Sequence, residues 1–559
     1  MSTSASSPNC PSPAGASESD PVRQRELVRA LGRQLNARLI ETHISFVLLA
    51  GGQAYKIKKA LDLGFADLRT LAQRKALCHE ELRLNRRSAP QLYQRVLPVG
   101  GSVQQPVIGG RRPLEWLLQM RAFSQRGLWD RLARRGALQA RHIDALVEAL
   151  CDLHARAEVA PAESPYGRPA QLREPMLDNL RVLGELCREP AARAALARLA
   201  KWEAQHFRAL RRVFAQRRAD GRVRDAHGDL HLGNVTQHEG RTLIFDCLEF
   251  SPALRWTDVM SDVAFMAMDL QAHGLAPLAH RFVNAYVERS GDVQGLRVLR
   301  YYTVHRALVR AKVAALRAAQ LPAASDAAQA ARRSLRHYLA QAVRSIEPVA
   351  PVLMLTHGFS GSGKTALTHS LLEACGAVRF RADVERKRLF GLPPLARPGA
   401  AMQRRLYSAQ ADAATQSCLR AHAAQALRSG YRVILDATFL QRSARRSARR
   451  LAERLGARFV IIDFQAAPQV LRARVARRLR RADDASDAGL AVLLQQQAQA
   501  QPLMPDEMAA TFRFDAGLPA DAAAMPARWA PLLRRIGVAS ARGDRVAAVH
   551  GPALSSGVA

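Results

Sequence analysis

The sequence has few cysteines and no arrangement of them that would build a metal cluster. Its seven cysteines are scattered over 559 residues, and none belongs to a CxxC pair. This distribution argues against a zinc site or a disulfide framework and suits a reducing cytoplasm. The chain also lacks an apolar run of the roughly 20 residues that a membrane span requires. We therefore expect a cytoplasmic protein without a membrane partner.

Lysine and asparagine are also scarce, in a chain that is otherwise strongly basic. The net charge is +35, yet there are only eight lysines and six asparagines, so arginine supplies most of the positive charge. A basic surface is compatible with nucleic acid or another polyanion as partner, but net charge says nothing about the fold. The chain has no asparagine after Asn284, which excludes the N-K-x-D motif with which G proteins read guanine.

What the sequence does contain is a glycine-rich turn between a strand and a helix. Residues 358–365 read GFSGSGKT, follow the apolar run 352–355 and precede a helical pattern. This context is typical of the P-loop, whose backbone N–H groups surround the phosphates of a nucleotide. We expect Lys364 to reach the β- and γ-phosphates of ATP and the Thr365 hydroxyl to bind Mg²⁺. The phosphate-binding backbone would come from Gly358, Ser360, Gly361, Ser362 and Gly363.

The chain after the P-loop alternates strands with helices, which predicts a parallel sheet. One strand ends near Asp383 and another at Asp436. We expect Asp436 to hold Mg²⁺ and Asp383 to contact an acceptor hydroxyl, with capping of the next helix as an equal alternative for Asp383. The arginine-rich helix at 471–481 resembles the lid of small P-loop kinases. Arg474 and Arg478 are therefore predicted phosphate contacts, and a solvated basic helix is the alternative.

A second motif lies in the amino-terminal half, where residues 227–234 read HGDLHLGN. This is the pattern H-x-D-x-x-x-x-N, and an apolar strand that ends at Asp246 follows it. Kinase chemistry needs a carboxylate near the acceptor hydroxyl and oxygen ligands for the Mg²⁺ that bridges the ATP phosphates. We predict Asp229 as the base or the group that orients the hydroxyl, and Asn234 and Asp246 as metal ligands. A capped loop between helices is the structural alternative.

Upstream of this motif, two strand-like runs between residues 44 and 58 flank a Gly-Gly turn, which predicts a hairpin. Alternation with period 2 places Lys56 and Lys58 on one face of the second strand. A lysine on a strand and an acid on the next helix match the small lobe of a protein-kinase-like fold, where the lysine contacts the ATP phosphates. The preferred pair is Lys58 with Glu81, with Lys56 and Glu80 as substitutes. The alternative is a surface strand with solvated lysines.

Residues 227–234 with Asp246 resemble the aminoglycoside phosphotransferase branch of the kinase-like fold, which has HGD where protein kinases have HRD. Together with four further segments, they are similar to a bacterial family of bifunctional aminoglycoside phosphotransferase/ATP-binding proteins. These segments are 42–45 (THIS), 55–59 (YKIKK), 80–87 (EELRLNRR) and 245–250 (FDCLEF). The resemblance spans residues from about 24 to 520. It implies a multidomain α+β and α/β protein, with a protein-kinase-like fold before a P-loop NTPase sheet.

The predicted boundary between the two domains follows a helix pair at 313–346, which prolines end. The resulting segments are a disordered start (1–23), a kinase-like phosphotransferase domain (24–346), a P-loop kinase domain (347–538) and a disordered tail (539–559). The chain departs from protein kinases because no G-x-G-x-x-G precedes Lys58. Its large lobe is basic, so family membership does not imply an aminoglycoside as acceptor.

We predict an ATP-dependent phosphotransferase with two nucleotide sites. At each site, the γ-phosphoryl group of Mg·ATP would pass to a hydroxyl of a small molecule. Two alternatives belong to other classes of function. One is nucleic-acid binding or 5′-hydroxyl polynucleotide kinase activity in the P-loop domain, and the other is a non-catalytic module that senses ATP.

Overall fold

The computed structural model describes residues 20–62, 67–481, 484–517 and 526–538. The predicted disordered segments lie almost entirely outside these residues. The exception is at the first helix, α1 (Pro21–Gln34), which begins three residues before the predicted start at residue 24. The side chain of the N-cap residue Asp20 accepts a hydrogen bond from a backbone N–H of the first turn. An N-cap aspartate followed by proline favours a helix start at this point.

The amino-terminal sheet is antiparallel, with the strand order β1-β2-β3-β6-β4-β5. Its strands are β1 (Arg38–Glu41), β2 (Ser45–Ala50), β3 (Gln53–Lys58), β4 (Tyr93–Gly101), β5 (Pro106–Ile108) and β6 (Glu115–Arg121). The predicted hairpin is confirmed as β2–β3. Helix α2 (Leu71–Asn85) packs against β4 and β6, and buries Glu81 and Leu84. The sequence does not predict the short edge strand β5.

A helical lobe follows, with two small antiparallel strand pairs. Its helices are α3 (Trp129–Arg134), α4 (Ala140–Arg156), α5 (Pro169–Leu186), α6 (Pro190–Ala219), α7 (Pro252–Arg255), α8 (Val259–Ala272), α9 (Ala276–Ser290), α10 (Leu296–Gln320) and α11 (Asp326–Ile346). The strand pairs are β7 (Val223–Asp225) with β10 (Trp256–Asp258), and β8 (Val235–His238) with β9 (Arg241–Ile244). Pro322 lies between α10 and α11, which cover the helix pair predicted at 313–346, although α10 already begins at Leu296.

The carboxyl-terminal sheet is parallel, as predicted, with the strand order β12-β13-β11-β14-β15. Its strands are β11 (Val352–His357), β12 (Ala377–Arg381), β13 (Arg432–Asp436), β14 (Arg458–Gln465) and β15 (Thr511–Asp515). The helices around it are α12 (Lys364–Cys375), α13 (Ala382–Leu389), α14 (Ala400–Leu406), α15 (Ala409–Arg428), α16 (Arg442–Arg454), α17 (Pro468–Arg481), α18 (Leu490–Gln499), α19 (Pro505–Met508) and α20 (Ala530–Arg535). Across the described ranges of the chain, no helix is both long and apolar enough to cross a membrane.

The two domains share one hydrophobic core. A continuous cluster of buried side chains runs from α10 of the helical lobe into the P-loop sheet. Helix α9 is a major bridge and packs on α12 and β12. The Asn284 side-chain oxygen of α9 accepts a hydrogen bond from the Arg379 backbone N–H at 2.7 Å, and Arg281 lies 2.9 Å from Glu373. Polar contacts therefore fix the position of the P-loop domain on the lobe.

Candidate active sites

The loop between β7 and β8 brings together two of the predicted site residues. A 3₁₀ turn, Leu232–Asn234, returns Asn234 toward Asp229. Asn234 Nδ2 donates to the Asp229 main-chain oxygen at 2.9 Å and to its Oδ2 at 3.3 Å. The Asp229 side chain is 36% exposed and lines a cleft of about 1930 Å³. The predicted base and a predicted metal ligand therefore lie side by side at the floor of a cleft.

The surroundings of Asp229 keep its carboxyl group ionised. Burial alone would raise the pKa of Asp229, but the positive charges of His231, His227 and Arg306 outweigh burial and lower it below the usual range. His231 Nε2 lies 3.5 Å from Asp229 Oδ2. A carboxylate with such a low pKa is a weak base, so it suits orienting a hydroxyl and accepting its proton late in the reaction.

Asp262 of α8 fixes this loop from behind, although nothing in the sequence marks it. Its two oxygens accept hydrogen bonds from the backbone N–H groups of His227 and Gly228, at 2.8 and 2.9 Å, and His154 Nε2 lies 3.1 Å away. Burial would raise the pKa of Asp262, but the hydrogen bond to His154 and nearby positive charges lower it to about 2. Asp262 is therefore an ionised positioning residue for the catalytic loop.

Asp246 is held in an unusual backbone conformation beside the loop. Its φ of 61° lies in the left-handed region, which costs a non-glycine residue roughly 1–2 kcal/mol. Lys56 Nζ donates to Asp246 Oδ1 at 2.9 Å and to Glu81 Oε1 at 2.7 Å. Lys56 thus connects the predicted metal carboxylate to helix α2.

This geometry places Lys56, the predicted substitute, and not the preferred Lys58, beside Asp246. Lys58 lies 2.5 Å from Glu81 Oε2, so the predicted contact exists, but its fully buried ammonium turns to Glu249 instead of Asp246. Lys56, the predicted substitute, occupies the position beside the site. Both lysines lie on one face of β3 and each takes one oxygen of Glu81. Their second partners distinguish them, since Lys56 contacts Asp246 and Lys58 contacts Glu249.

The buried ion cluster around Lys56 stays charged. Burial alone lowers the pKa of Lys56, but Asp246 and Glu81 outweigh burial and hold it well above the usual value. Burial likewise raises the pKa of Glu81, and Lys56 and Lys58 lower it to about 2. Removing one member of such a cluster leaves an uncompensated buried charge, which costs about 3–5 kcal/mol.

The side-chain oxygen atoms of Asn234 and Asp246 are suited to bind Mg²⁺. Asn234 Oδ1 is buried and has no hydrogen-bond partner within the described ranges, an uncommon state for a buried polar atom. The neighbouring Asp246 side chain is 23% exposed. Carboxylate and amide oxygens are ligands that Mg²⁺ accepts. The unpartnered amide oxygen and the accessible carboxylate are therefore suited to hold this ion.

The P-loop joins β11 to α12 in the predicted place. Gly358, Gly361 and Gly363 have φ values of 139°, 85° and 85°, which glycine adopts readily and other residues rarely do. A methyl group on Gly361 would lie 2.7 Å from the Leu471 carbonyl oxygen of α17. Both the shape of the loop and its close approach to α17 thus require glycine.

Lys364 folds back over its own loop. Its Nζ donates to the carbonyl oxygens of Gly358 and Phe359 at 2.9 and 2.8 Å, and lies 3.4 Å from Ser362 Oγ. It forms no ion pair with a carboxylate of the described residues, and burial lowers its pKa to about 8. The Ser360 backbone N–H, a predicted phosphate donor, bonds to Gln496 Oε1 of α18 at 2.9 Å. Lys364 Nζ and the Ser360 N–H therefore hydrogen-bond to uncharged partners, which a phosphate can replace.

Two predicted carboxylates lie near this loop. Thr365 Oγ1 donates to Asp436 Oδ2 at 2.7 Å, as expected where a hydroxyl and a carboxylate bind Mg²⁺ together. Asp383 lies in the first turn of α13, whose N-cap is Arg381, so it does not cap the helix. Within the part of the chain that the structure describes, its carboxylate has no hydrogen bond or ion pair, and its charge acts on Lys364.

The predicted lid arginines of α17 lie at different distances from the loop. Arg474 Nη1 donates to the Ala516 carbonyl at 2.8 Å and would lie 3.5 Å from a methyl group on Gly363. Arg478 Nη2 donates to the Ala488 carbonyl at 2.7 Å. Both guanidinium groups thus bond to main-chain oxygens, and Arg474 lies directly beside the P-loop.

Comparison with known proteins defines the class. The sequence model of the phosphotransferase enzyme family matches residues 72–302, which contain α2, the 227–234 loop and Asp246. The model described as an AAA domain matches residues 353–503, which contain the P-loop. The fold and these two matches identify a kinase in which a phosphotransferase domain precedes a P-loop domain.

Two mycobacterial relatives match most of the chain and show the family to which it belongs. Uncharacterized protein Rv2004c of Mycobacterium tuberculosis is 30% identical over 404 residues, which are 71% of this chain and 78% of that protein. Uncharacterized protein Mb2027c of Mycobacterium bovis matches to the same extent. The chain belongs to the family of these mycobacterial proteins.

Three solved structures described as kinases or kinase-family proteins are each similar to one part of the chain. An amicoumacin kinase is 12% identical and covers 58% of this chain and 95% of its own, with a TM-score of 0.39. A choline/ethanolamine kinase family protein from Mesorhizobium loti is 14% identical over 57% and 99%, with a TM-score of 0.35. A gluconokinase from Sinorhizobium meliloti is 20% identical over 34% and 97%, with a TM-score of 0.25. Similarity at this level assigns no substrate.

Proposed function

We propose that this protein uses ATP at two sites and transfers the γ-phosphoryl group at each to a hydroxyl of a small molecule. The observation that carries the proposal is that each domain places a lysine near a carboxylate. Lys56 bonds to Asp246, and Thr365, next to Lys364, bonds to Asp436, whose charge acts on Lys364. Because the domains belong to kinase families, both pairs are best explained as phosphate and Mg²⁺ sites.

In the kinase-like domain, Asp229 would orient the acceptor. Asn234 and His231 engage its Oδ2, which leaves Oδ1 free to accept the hydroxyl proton as the new oxygen–phosphorus bond forms. Asp262 keeps this carboxylate in place by holding the loop. Lys56 would contact the phosphates while it positions Asp246. Bound Mg²⁺, on Asn234 and Asp246, supplies neutralisation of the phosphate charge.

In the P-loop domain, the backbone of Gly358–Thr365 would surround the phosphates. Lys364 would exchange its carbonyl partners for phosphate oxygens, and Thr365 with Asp436 would hold Mg²⁺. Asp383 has no partner within the described ranges, so it is available to orient the acceptor hydroxyl. Arg474, which lies beside Gly363, and Arg478, whose charge acts on Lys364, would stabilise the transferred group.

The acceptor of the kinase-like site is proposed to be neutral or anionic. The cleft in front of Asp229 carries basic groups on its α10 wall, among them Arg300, Arg310 and Lys312. Carboxylates, among them Asp130 and Asp269, line the same cleft, so it would attract a polycationic sugar less than a predominantly acidic cleft does. We also propose a cytoplasmic location, because the cysteines within the described ranges are free thiols.

Two single substitutions test the proposal. Wild type, Asp229→Ala and Lys364→Ala are each incubated with Mg·ATP and a metabolite pool, and phosphorylated products are compared by mass spectrometry. Each substitution should lower the yield of a different set of products by about 10²-fold or more. The exposed-residue variants Asp152→Ala and Lys201→Ala serve as matched controls and should keep both sets.

A double variant, Asp229→Ala with Lys364→Ala, that transfers phosphate normally would contradict the proposal. An aminoglycoside panel in the same assay tests the acceptor class, and efficient phosphorylation of these polycations by the Asp229 site would contradict a neutral or anionic acceptor.

A further inference from the structure

Three side chains that play no part in the proposed phosphotransfer meet between α13 and α15. Glu385 lies on α13, and Cys418 and His422 lie one helical turn apart on α15. Glu385 is buried, whereas Cys418 and His422 are partly exposed, so an ion can reach them from solvent. We name these three residues the α13–α15 cluster.

The separations within the cluster are close to those of a small tetrahedral metal site. Glu385 Oε2 lies 3.6 Å from His422 Nδ1 and 4.0 Å from Cys418 Sγ. Cys418 Sγ lies 3.7 Å from His422 Nε2 and 3.8 Å from its Nδ1. Zinc bonds of about 2.0–2.3 Å place tetrahedral ligand atoms roughly 3.3–3.7 Å apart. A small rotation of the side chains therefore brings all three atoms into bonding distance of one ion.

Neighbouring groups and burial affect the orientation and the protonation of the three proposed ligands. Arg388 donates to Glu385 Oε1, which orients the carboxylate and leaves Oε2 for an ion. Burial lowers the pKa of His422, so its imidazole is neutral at pH 7, the form that binds metals. Burial raises the pKa of the Cys418 thiol to about 11, so a metal must displace the thiol proton as it binds.

We propose that Glu385, Cys418 and His422 bind one zinc-class divalent transition-metal ion, with water as the fourth ligand. Sulfur and imidazole select such an ion over Mg²⁺, which prefers oxygen ligands. When the sulfur–metal bond forms, the Cys418 S–H proton passes to solvent. The site is separate from the Mg²⁺ position at Thr365 and Asp436, and it has no CxxC spacing that the sequence would reveal.

The ion would join α13 to α15. Because α13 begins with the turn that carries Asp383, this link would fix the helix on which the acceptor contact depends. An ion that binds only the folded chain stabilises it by mass action. We therefore expect the metal to raise the melting temperature without being required for ATP binding.

Cobalt and zinc titration of the untagged full chain tests the site. Cys10→Ser removes the thiol outside the described ranges, the protein is stripped with a chelator, and excess Mg²⁺ is present to occupy oxygen sites. One equivalent of Co²⁺ should bind and give a thiolate-to-cobalt absorption band, and Zn²⁺ should displace it. Zn²⁺ should also raise the melting temperature.

The matched variants decide whether the cluster is responsible. Cys418→Ser and His422→Ala should each lose the band and weaken Zn²⁺ binding at least tenfold, whereas Cys151→Ser, which removes another partly exposed thiol, should keep both. Binding of ATP shows that each variant is folded. Absence of the band in the parent, or its persistence in Cys418→Ser, would overturn the proposal.

Discussion

The lysines of the two proposed nucleotide sites are held in opposite ways. Lys56 contacts the carboxylates of Glu81 and Asp246, whose charges outweigh burial and hold its pKa well above the usual value. Lys364 contacts main-chain oxygens, and burial lowers its pKa to about 8. The first lysine is thus part of the folded framework before nucleotide binds. We expect the charge of the second to be compensated more fully when a phosphate binds.

This contrast follows from how each lysine is positioned. Lys56 projects from a strand onto a helix and the 246 turn, so long-range carboxylates can surround it. Lys364 begins a helix inside a tight loop, where its ammonium bonds to two main-chain oxygens and lies beside Ser362 Oγ. Lys56 therefore contributes both to the stability of the fold and to the proposed phosphate contact. Lys364 is instead desolvated without a carboxylate ion pair within the described residues, which leaves its ammonium available for the proposed ligand.

The largest expected difference is in stability after removal of each lysine. Lys56→Met leaves Asp246 and one oxygen of Glu81 unpaired, so it should destabilise the protein by about 3 kcal/mol. Lys364→Met removes a poorly compensated ammonium and should leave stability unchanged or slightly higher, while ATP binding at the P-loop falls by more than about tenfold. Urea unfolding followed by fluorescence measures the stability of the two variants, and ATP titration measures their binding at the P-loop.

The exposed Lys201→Met provides the reference for this comparison and should change neither property. Equal destabilisation by Lys56→Met and Lys364→Met would show that the two lysines are held alike. A stable Lys56→Met variant would show that the buried ion cluster contributes little to the fold.

The parts of the two proposed sites that consist of local motifs could be predicted from the sequence. The P-loop and the 227–234 loop are predictable because their chemistry depends on residues close together in the chain. Period 2 on β3 identifies the correct face, but it cannot choose between Lys56 and Lys58, because each takes one oxygen of Glu81. The choice depends on Asp246, which lies 190 residues away from Lys56.

Residues that act only through tertiary packing escape sequence analysis. Asp262 holds the catalytic loop from α8, and no spacing rule connects it to residues 227 and 228. The edge strand β15 is also missed, because its short sequence TFRFD has charged residues and no continuous apolar run. The parallel sheet could nevertheless be predicted in outline, since its central strands β13, β11 and β14 are largely apolar.

A second contrast concerns the glycine turns of the two domains. Gly361→Ala forces alanine to φ 85° and places its methyl group 2.7 Å from the Leu471 carbonyl, so α17 must shift. We expect a loss of about 2 kcal/mol in stability and weaker ATP binding at the P-loop. Gly52→Ala, at φ 74° with open space around it, should cost only about 1 kcal/mol. Thermal unfolding and ATP titration compare the two, and an equal effect would exclude close packing of the loop on α17.

The opposite pKa shifts predict different pH dependence for ATP binding. Lys364 is charged below pH of about 8 and neutral above it, so P-loop affinity should fall about tenfold between pH 7 and 9 as the charged fraction falls. Lys56, with its raised pKa, stays charged over this range. Calorimetry on Asp246→Asn isolates the P-loop and Asp436→Asn isolates the other site. The same pH slope in both variants would contradict the contrast.

The smallest expected effect tests whether one domain supports the site of the other. Glu288 of α9 lies 3.4 Å from Arg381 at the end of β12, and Arg381 also bonds to Asp484 at 2.9 Å. Because both side chains of the Glu288–Arg381 pair are partly exposed, a double-mutant cycle with Glu288→Gln and Arg381→Gln should give a coupling of about 0.5–1 kcal/mol in unfolding free energy. A coupling of zero would mean that α9 supports the P-loop domain through its other contacts, among them those of Asn284 and Arg281. A change in P-loop ATP affinity in Glu288→Gln would instead show that the kinase-like domain acts on the second site through this charge.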